Sequence, residues 1–189
     1  MTLEDIRTKI LNVASNLFES RGIHASGVDT IIAEAGVAKA TLYKHFPSKD
    51  LLVIAFLKRN ADSFIDRLSQ GLKEKPAEPA DKLVQLCSLL EQHILTQRSK
   101  GLPFHLASVE FPDPKHPVHQ YSVRLSNELQ AYIVDLAKEA GMVEPESISQ
   151  QIIMLFEGAS LVERLSPGRG ATARAKQAAI LLIRSSLGR

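Results

Sequence analysis

SGVDTIIAEAGVAKATLYKHFPSK, residues 26–49, decides how this chain is read. Two short runs, about Val28 to Ala35 and about Lys39 to His45, are helical in pattern, and Gly36 breaks them apart. Two short helices joined by a glycine-containing turn form a helix-turn-helix. Ile31, Ile32 and Ala35 face inward from the first run, Val37 is apolar at the turn, and Leu42 is the apolar position of the second. Pro47 stops the second run, because proline lacks a backbone donor and disfavours a helical predecessor. The outward face of that run is different. Lys39, Thr41, Tyr43, Lys44 and His45 are polar, Ala40 is small, and no acidic residue occurs between Lys39 and Lys49. Such a face suits the major groove of double-stranded DNA, where base edges present distinguishable donors, acceptors and methyl groups. Lys39 and Lys44 can reach base acceptors or phosphates, and Ala40 and Thr41 a thymine methyl. Tyr43 and Lys49 suit phosphate, which sets position rather than sequence. An isolated Lys/Thr/Tyr helix would be only a solvated surface. The turn glycine, apolar anchors, acid-free face and proline stop together carry the reading.

The flanks extend it. Ile6, Ile10, Val13, Ala14, Leu17 and Phe18 recur at helical spacing and Gly22 ends that helix, so Leu17 and Phe18 can close a three-helix core. Ser48 is an N-cap for a long fourth helix over about 48–70, with Asp50 in its positive first turn. Lys73 to Asp81 reads as a loop. Further helices are expected at about 82–98, 104–110, 118–140 (stopped by Gly141), 145–165 (opened by Pro145) and 171–187. The fold class is therefore all-α. A helix-turn-helix DNA-binding domain occupies 1–48 and a helical effector-binding and dimerisation domain 49–189, linked by the helix over 48–70.

Composition agrees without deciding. The chain has 189 residues, 44% hydrophobic, with a net charge of +2, so a DNA-binding argument must rest on where the charges sit. A single cysteine, Cys87, allows no internal disulfide and fits a reducing compartment. The N-terminal stretch lacks the apolar run of a signal peptide, and no segment approaches the roughly 18 apolar residues of a membrane span. The expected location is the cytoplasm, with no membrane partner. No P-loop, GxSxG, HExxH or Rossmann glycine pattern occurs, so neither enzymatic activity nor a cofactor is expected. A helix-turn-helix used only for protein contacts is the rival, separated from DNA binding by the salt dependence that counterion release imposes.

AGVAKA followed by TLYKHFPSKDLL, with ILNVASNLFESRG upstream, closely resembles the tetracycline-repressor (TetR/AcrR) family over about Ile6 to Phe56. The resemblance implies an all-helical, usually homodimeric repressor on a palindromic operator, whose C-terminal domain binds a small-molecule effector and thereby spreads the two DNA-reading heads. Matched by position, Lys39, Ala40, Thr41, Tyr43, Lys44, His45 and Lys49 line the implied DNA face. Gly27 departs from the pattern, standing where Ser or Thr often caps the second helix and touches phosphate. Ser26 and Thr30 are the candidates to take over that contact.

In the C-terminal half, the helix over 145–165 carries Ile148, Ile152, Ile153, Leu155, Phe156, Leu161 and Val162. The last helix carries Ala175, Ala178, Ala179, Leu182, Ile183 and Leu187. The resemblance implies a four-helix dimer interface built from these two helices. An effector pocket would be lined from Leu86, Leu90, Phe104, Leu106, Phe111, Tyr121, Leu125, Tyr132, Phe156 and Leu161, and would suit a ligand with an apolar body. Glu110, Asp113, His116 and His119 cluster near the proline-rich loop. They are weak metal candidates, against local capping or pairing of Glu110 with histidines at a polar helix start. Cys87 lies in an apolar helix and reads as a buried thiol, with redox sensing as the alternative.

Overall fold

A computed structural model describes residues 3–73, 78–96 and 104–187. Over them the chain forms nine helices: α1 (Leu3–Arg21), α2 (Val28–Ala35), α3 (Lys39–His45), α4 (Lys49–Lys73), α5 (Pro79–Thr96), α6 (His105–Glu110), α7 (Pro117–Glu139), α8 (Pro145–Leu165) and α9 (Ala171–Ser186). The only β feature among the described residues is an isolated bridge between Met142 and Leu187. No described helix is long and apolar enough to cross a membrane.

The boundaries follow local chemistry. Ser48 Oγ accepts from the Leu51 N–H at 3.1 Å, the capping bond expected at the start of α4. α5 begins at Pro79, three residues before the expected start at Lys82, because the first helical turn has no use for the donor that proline lacks. α7 begins at Pro117 for the same reason, leaving His116 just outside it. The expected end of the fifth helix at Arg98 and the loop residues 74–77 lie outside the described residues, as do residues 97–103 and the Leu106 side chain.

The chain divides into two compact units. The first is Met1–Asp62 together with Ala107–Val123, so it draws in the last four residues of α6 and the start of α7. Its core joins Ile10, Ala14, Leu17 and Phe18 of α1 with Ile31, Ala35, Leu42, Phe46, Leu52 and Phe56. Phe18 meets Phe56 edge to face, with ring centroids 5.4 Å apart. Arg59 ties α4 to α1 through Asn12 Oδ1 at 2.6 Å and Ser15 Oγ. The second unit is Ser63–Leu106 with Arg124–Arg189. There α9 packs against both α8 and α5, over a core that includes Leu83, Leu86, Leu90, Ile152, Phe156, Ala175, Ala179 and Ile183. The loop between α8 and α9 is organised by Glu163, whose carboxylate accepts from the Gly168 and Ala171 N–H groups, both at 3.0 Å.

Candidate nucleic-acid interface

α2 and α3 are eight and seven residues long, too short to hold a helix alone, so packing and caps must fix them. Gly36 ends α2 with φ +60°, a left-handed conformation that glycine adopts without penalty. Its N–H reaches Ala33 O at 3.2 Å, and the next N–H, of Val37, reaches Ile32 O at 3.3 Å, closing the helix end. α3 starts from Ala38, whose carbonyl accepts from Thr41 and Leu42 at 2.9 and 3.2 Å, and closes where the Phe46 N–H meets Leu42 O at 2.8 Å. The Arg7 guanidinium lies 4.8 Å from the centre of the buried Phe46 ring, pinning this end to α1.

Leu42 is fully buried and fixes which way α3 faces. Lys39, Ala40, Tyr43 and Lys44 are consequently exposed, and Thr41 and His45 are half-buried. Lys39 Nζ stands 3.4 Å from Asp29 Oδ1 in an open pair that water screens heavily, so it restrains the lysine little. Among the described residues, no hydrogen bond or ion pair engages the Lys44 ammonium or the Tyr43 hydroxyl. His45 Nε2 is buried without a hydrogen-bond partner among them. The outward face of α3 therefore presents two ammonium groups, a phenol and a threonine, with Asp29 beside Lys39.

The remaining residues expected in this interface are placed differently. Lys49 is half-buried and its Nζ donates to Ile23 O at 2.7 Å. Desolvation lowers its pKa from the usual lysine value, while Glu110 and Asp50 act in the opposite direction. Ser26 is buried and its hydroxyl donates to Gly22 O at 2.7 Å. Thr30 is half-buried in the first turn of α2, and Gly27, the residue before α2, offers no side-chain cap.

Sequence reasoning missed the partner of the α1–α2 turn. Glu110 Oε1 accepts from the Ile23 N–H at 3.0 Å and Oε2 from the His24 N–H at 2.7 Å. The four metal candidates are occupied in this way rather than converging. Asp113 Oδ1 accepts from the Lys115 N–H, His116 Nε2 faces Asp50 Oδ2 at 3.6 Å, and His119 Nδ1 contacts Phe111 O at 2.7 Å. Among the described residues no group of three or more His, Cys, Asp or Glu is arranged to hold a metal.

Of the expected pocket residues, Leu86, Leu90, Phe104, Leu125 and Phe156 are buried in the second unit. Tyr132 is half-buried there and Leu161 is exposed. Phe111 and Tyr121 belong to the first unit. A groove of about 670 Å³ lies elsewhere, on the outer side of α8 and α9, lined by Gln151, Met154, Leu155, Ala178, Leu181 and Leu182 with Ser185 at its end. Met154 and Leu181 of its lining are 64% and 68% exposed, and Leu161 and Leu165, farther along α8, are 55% and 74% exposed. Cys87 is buried on α5, and burial pushes its thiol pKa up to about 12.

Residues 10–56 match the family model for bacterial regulatory proteins of the tetR family. The chain is 41% identical over 70 residues to the HTH-type transcriptional activator FasR of Mycolicibacterium smegmatis, spanning 37% of this chain but only 32% of that relative. Its similarity to the HTH-type transcriptional regulator YxaF of Bacillus subtilis is longer, 28% over 145 residues, covering 76% of this chain and 75% of the relative. In structure it resembles SCO4454, a TetR-family transcriptional regulator from Streptomyces coelicolor, with a TM-score of 0.89 at 25% identity, covering 98% and 97% of the two chains. The motif lies on the two helices whose geometry is described above, and the likeness of fold runs the length of the chain. Residues 10–56 thus carry the tetR-family region of bacterial regulatory proteins, and the chain as a whole has the fold of a TetR-family transcriptional regulator.

Proposed function

We propose that this protein is a sequence-specific repressor that binds a palindromic double-stranded DNA operator as a homodimer and leaves it when a small-molecule effector binds the C-terminal region. It acts without catalysis. The observation that carries the reading is the outward face of α3: Lys39, Ala40, Tyr43 and Lys44 are exposed on a helix whose buried Leu42 fixes its orientation. In the complex α3 enters the major groove, with Lys39, Ala40, Thr41 and Lys44 towards base edges and Tyr43 and His45 towards the backbone. Lys49, Ser26 and Thr30 flank this face. DNA reading resides in residues 1–48, and residues 49–189 serve the effector and the second copy.

The exposed apolar seam of α8 and α9 supports dimerisation, since leucines and a methionine at helical spacing are costly to leave in water. A second copy of the same seam would form a four-helix interface. Two recognition helices could then meet half-sites about 34–36 Å apart on one DNA face. The effector pocket is assigned to Leu86, Leu90, Phe104, Leu125 and Phe156, all in the second unit.

Affinity selection of genomic duplex fragments by the purified chain, with salt titrated, tests the proposal. A palindromic motif supports it. Salt-sensitive binding without a motif would leave a nonspecific DNA binder, and no binding would remove the DNA reading. A second reading, activation rather than repression, is favoured by the likeness to FasR, which is an activator. The position of the motif relative to the promoter separates the two.

A further inference from the structure

The α1–α2 turn is an anion-binding nest built from main chain. Gly22 stands at φ +92°, in the left-handed region, and directly after it the Ile23 and His24 N–H groups point the same way. Successive N–H groups in such a turn form a concavity that attracts negative charge. The Glu110 carboxylate fills it, one oxygen to each amide. The contact is closed from the other side, because the last carbonyl of α6, Glu110 O, meets His24 Nε2 at 2.7 Å. Lys49 holds the opposite edge of the same residue through Ile23 O. All of these groups lie in the first compact unit, although 86 and 87 positions separate Glu110 from its two amide partners.

We propose that Glu110 is a positioning residue for DNA recognition, setting the α1–α2 turn and through it the pose of α2 and α3. The inference rests on the DNA-binding function proposed above. Three features make the turn the controlling point. α2 begins at Val28, just past it, and no side-chain cap fixes the start of α2 locally. The turn is anchored inward by buried Ile23 and Ser26, so a shift there is carried into the helix rather than absorbed in solvent. α2 and α3 are too short to keep a pose of their own. Charge-assisted bonds to two successive amides are among the stronger local restraints available to such a turn.

The sign of one substitution isolates the role. Glu110 is negative, so it makes no phosphate contact, and removing its charge should by Coulomb's law strengthen DNA binding. Positioning requires the reverse. The test uses the full chain and the tightest-binding duplex that it selects from a random pool. Glu110→Gln should weaken binding about tenfold with an unchanged salt slope, and speed amide exchange at Ile23 and His24. Glu110→Asp keeps the charge but is one methylene short, so it too should weaken binding. If Glu110→Gln does not fold, Glu110→Asp carries the comparison. Tighter or unchanged binding by the folded variants overturns the proposal, even if melting temperature falls, because that outcome marks a purely stabilising residue. Unchanged exchange at the two amides overturns it as well. Wild-type protein that retains no duplex would instead refute the DNA-binding reading itself, and this role with it.

Discussion

The outer face of α3 and the outer face of α8–α9 are both exposed in a single copy of the chain, yet they are opposite in chemistry. α3 presents lysines, a tyrosine and a threonine around one buried leucine. α8 and α9 present Met154, Leu161, Leu165 and Leu181 beside a groove that is almost wholly apolar. The polar face is at ease in water and is organised for a charged, hydrogen-bonding partner. The apolar face gains by leaving water, at about 25 cal/mol per Å² covered. The difference teaches that exposure alone does not identify a partner. The chemistry of the exposed atoms does, and it is the ground on which we propose DNA for one face and a second copy for the other.

Breaking the apolar face should have the largest effect. Leu181→Glu would place two carboxylates in the seam of the proposed dimer, where burying unpaired charge is prohibitive. Sedimentation should then show monomers. Operator affinity should fall by more than about a hundredfold, because the second half-site no longer adds to the first. A dimer of undiminished affinity would move the interface elsewhere.

Substitutions on the polar face should act more weakly. Lys44→Ala should cost about 1–3 kcal/mol and relax sequence preference if Lys44 reads a base edge. A uniform loss across sequences, with the salt slope reduced by about 1, would assign it to phosphate. The same pair of outcomes applies to Lys39→Ala. Tyr43→Ala should weaken binding to all duplexes by about 1 kcal/mol, measured by fluorescence anisotropy, and unchanged affinity would remove it from the interface. Gly36→Ala tests how the polar face is held. A side chain at φ +60° costs about 1–2 kcal/mol, which should appear as a lowered denaturation midpoint. The smallest effect concerns Cys87, buried on α5. With its thiol pKa raised from the ordinary 9.0 to about 12, the folded protein should resist iodoacetamide at pH 8, and fast labelling would contradict the burial. The thiol is neutral in both states below pH 9, so its contribution is complete there. Stability should decline as pH rises from 9 towards 12, where only the unfolded thiol ionises.

The polar face was legible in the sequence because the residues that shape it are close together in the chain. Gly36, Leu42 and Pro47 lie within twelve residues, and periodicity alone orients Lys39, Tyr43 and Lys44. The order and types of the helices were legible for the same reason. The turn clamp was not. A positive-φ glycine at position 22 announces a turn with amides to satisfy, but nothing in the pattern says that a glutamate 86 and 87 residues beyond two of them will satisfy both. Read locally, that glutamate is a capping residue or a weak metal candidate. Glu163 and Arg59 were silent for the same reason, since their partners are set by tertiary packing. The pocket assignment meets a different limit. Leu86, Leu90 and Phe156 are fully buried, and an apolar side chain has the same periodicity whether it faces a neighbour or a ligand.

The most direct test is to titrate the chain onto the selected palindrome and onto a single half-site, over a range of salt. The account predicts two chains per palindrome, an affinity for it far above that for the half-site, and a loss of roughly a thousandfold between 50 and 200 mM salt if some six phosphates are neutralised. Equal affinity for palindrome and half-site, one chain on each, with little dependence on salt, would contradict it.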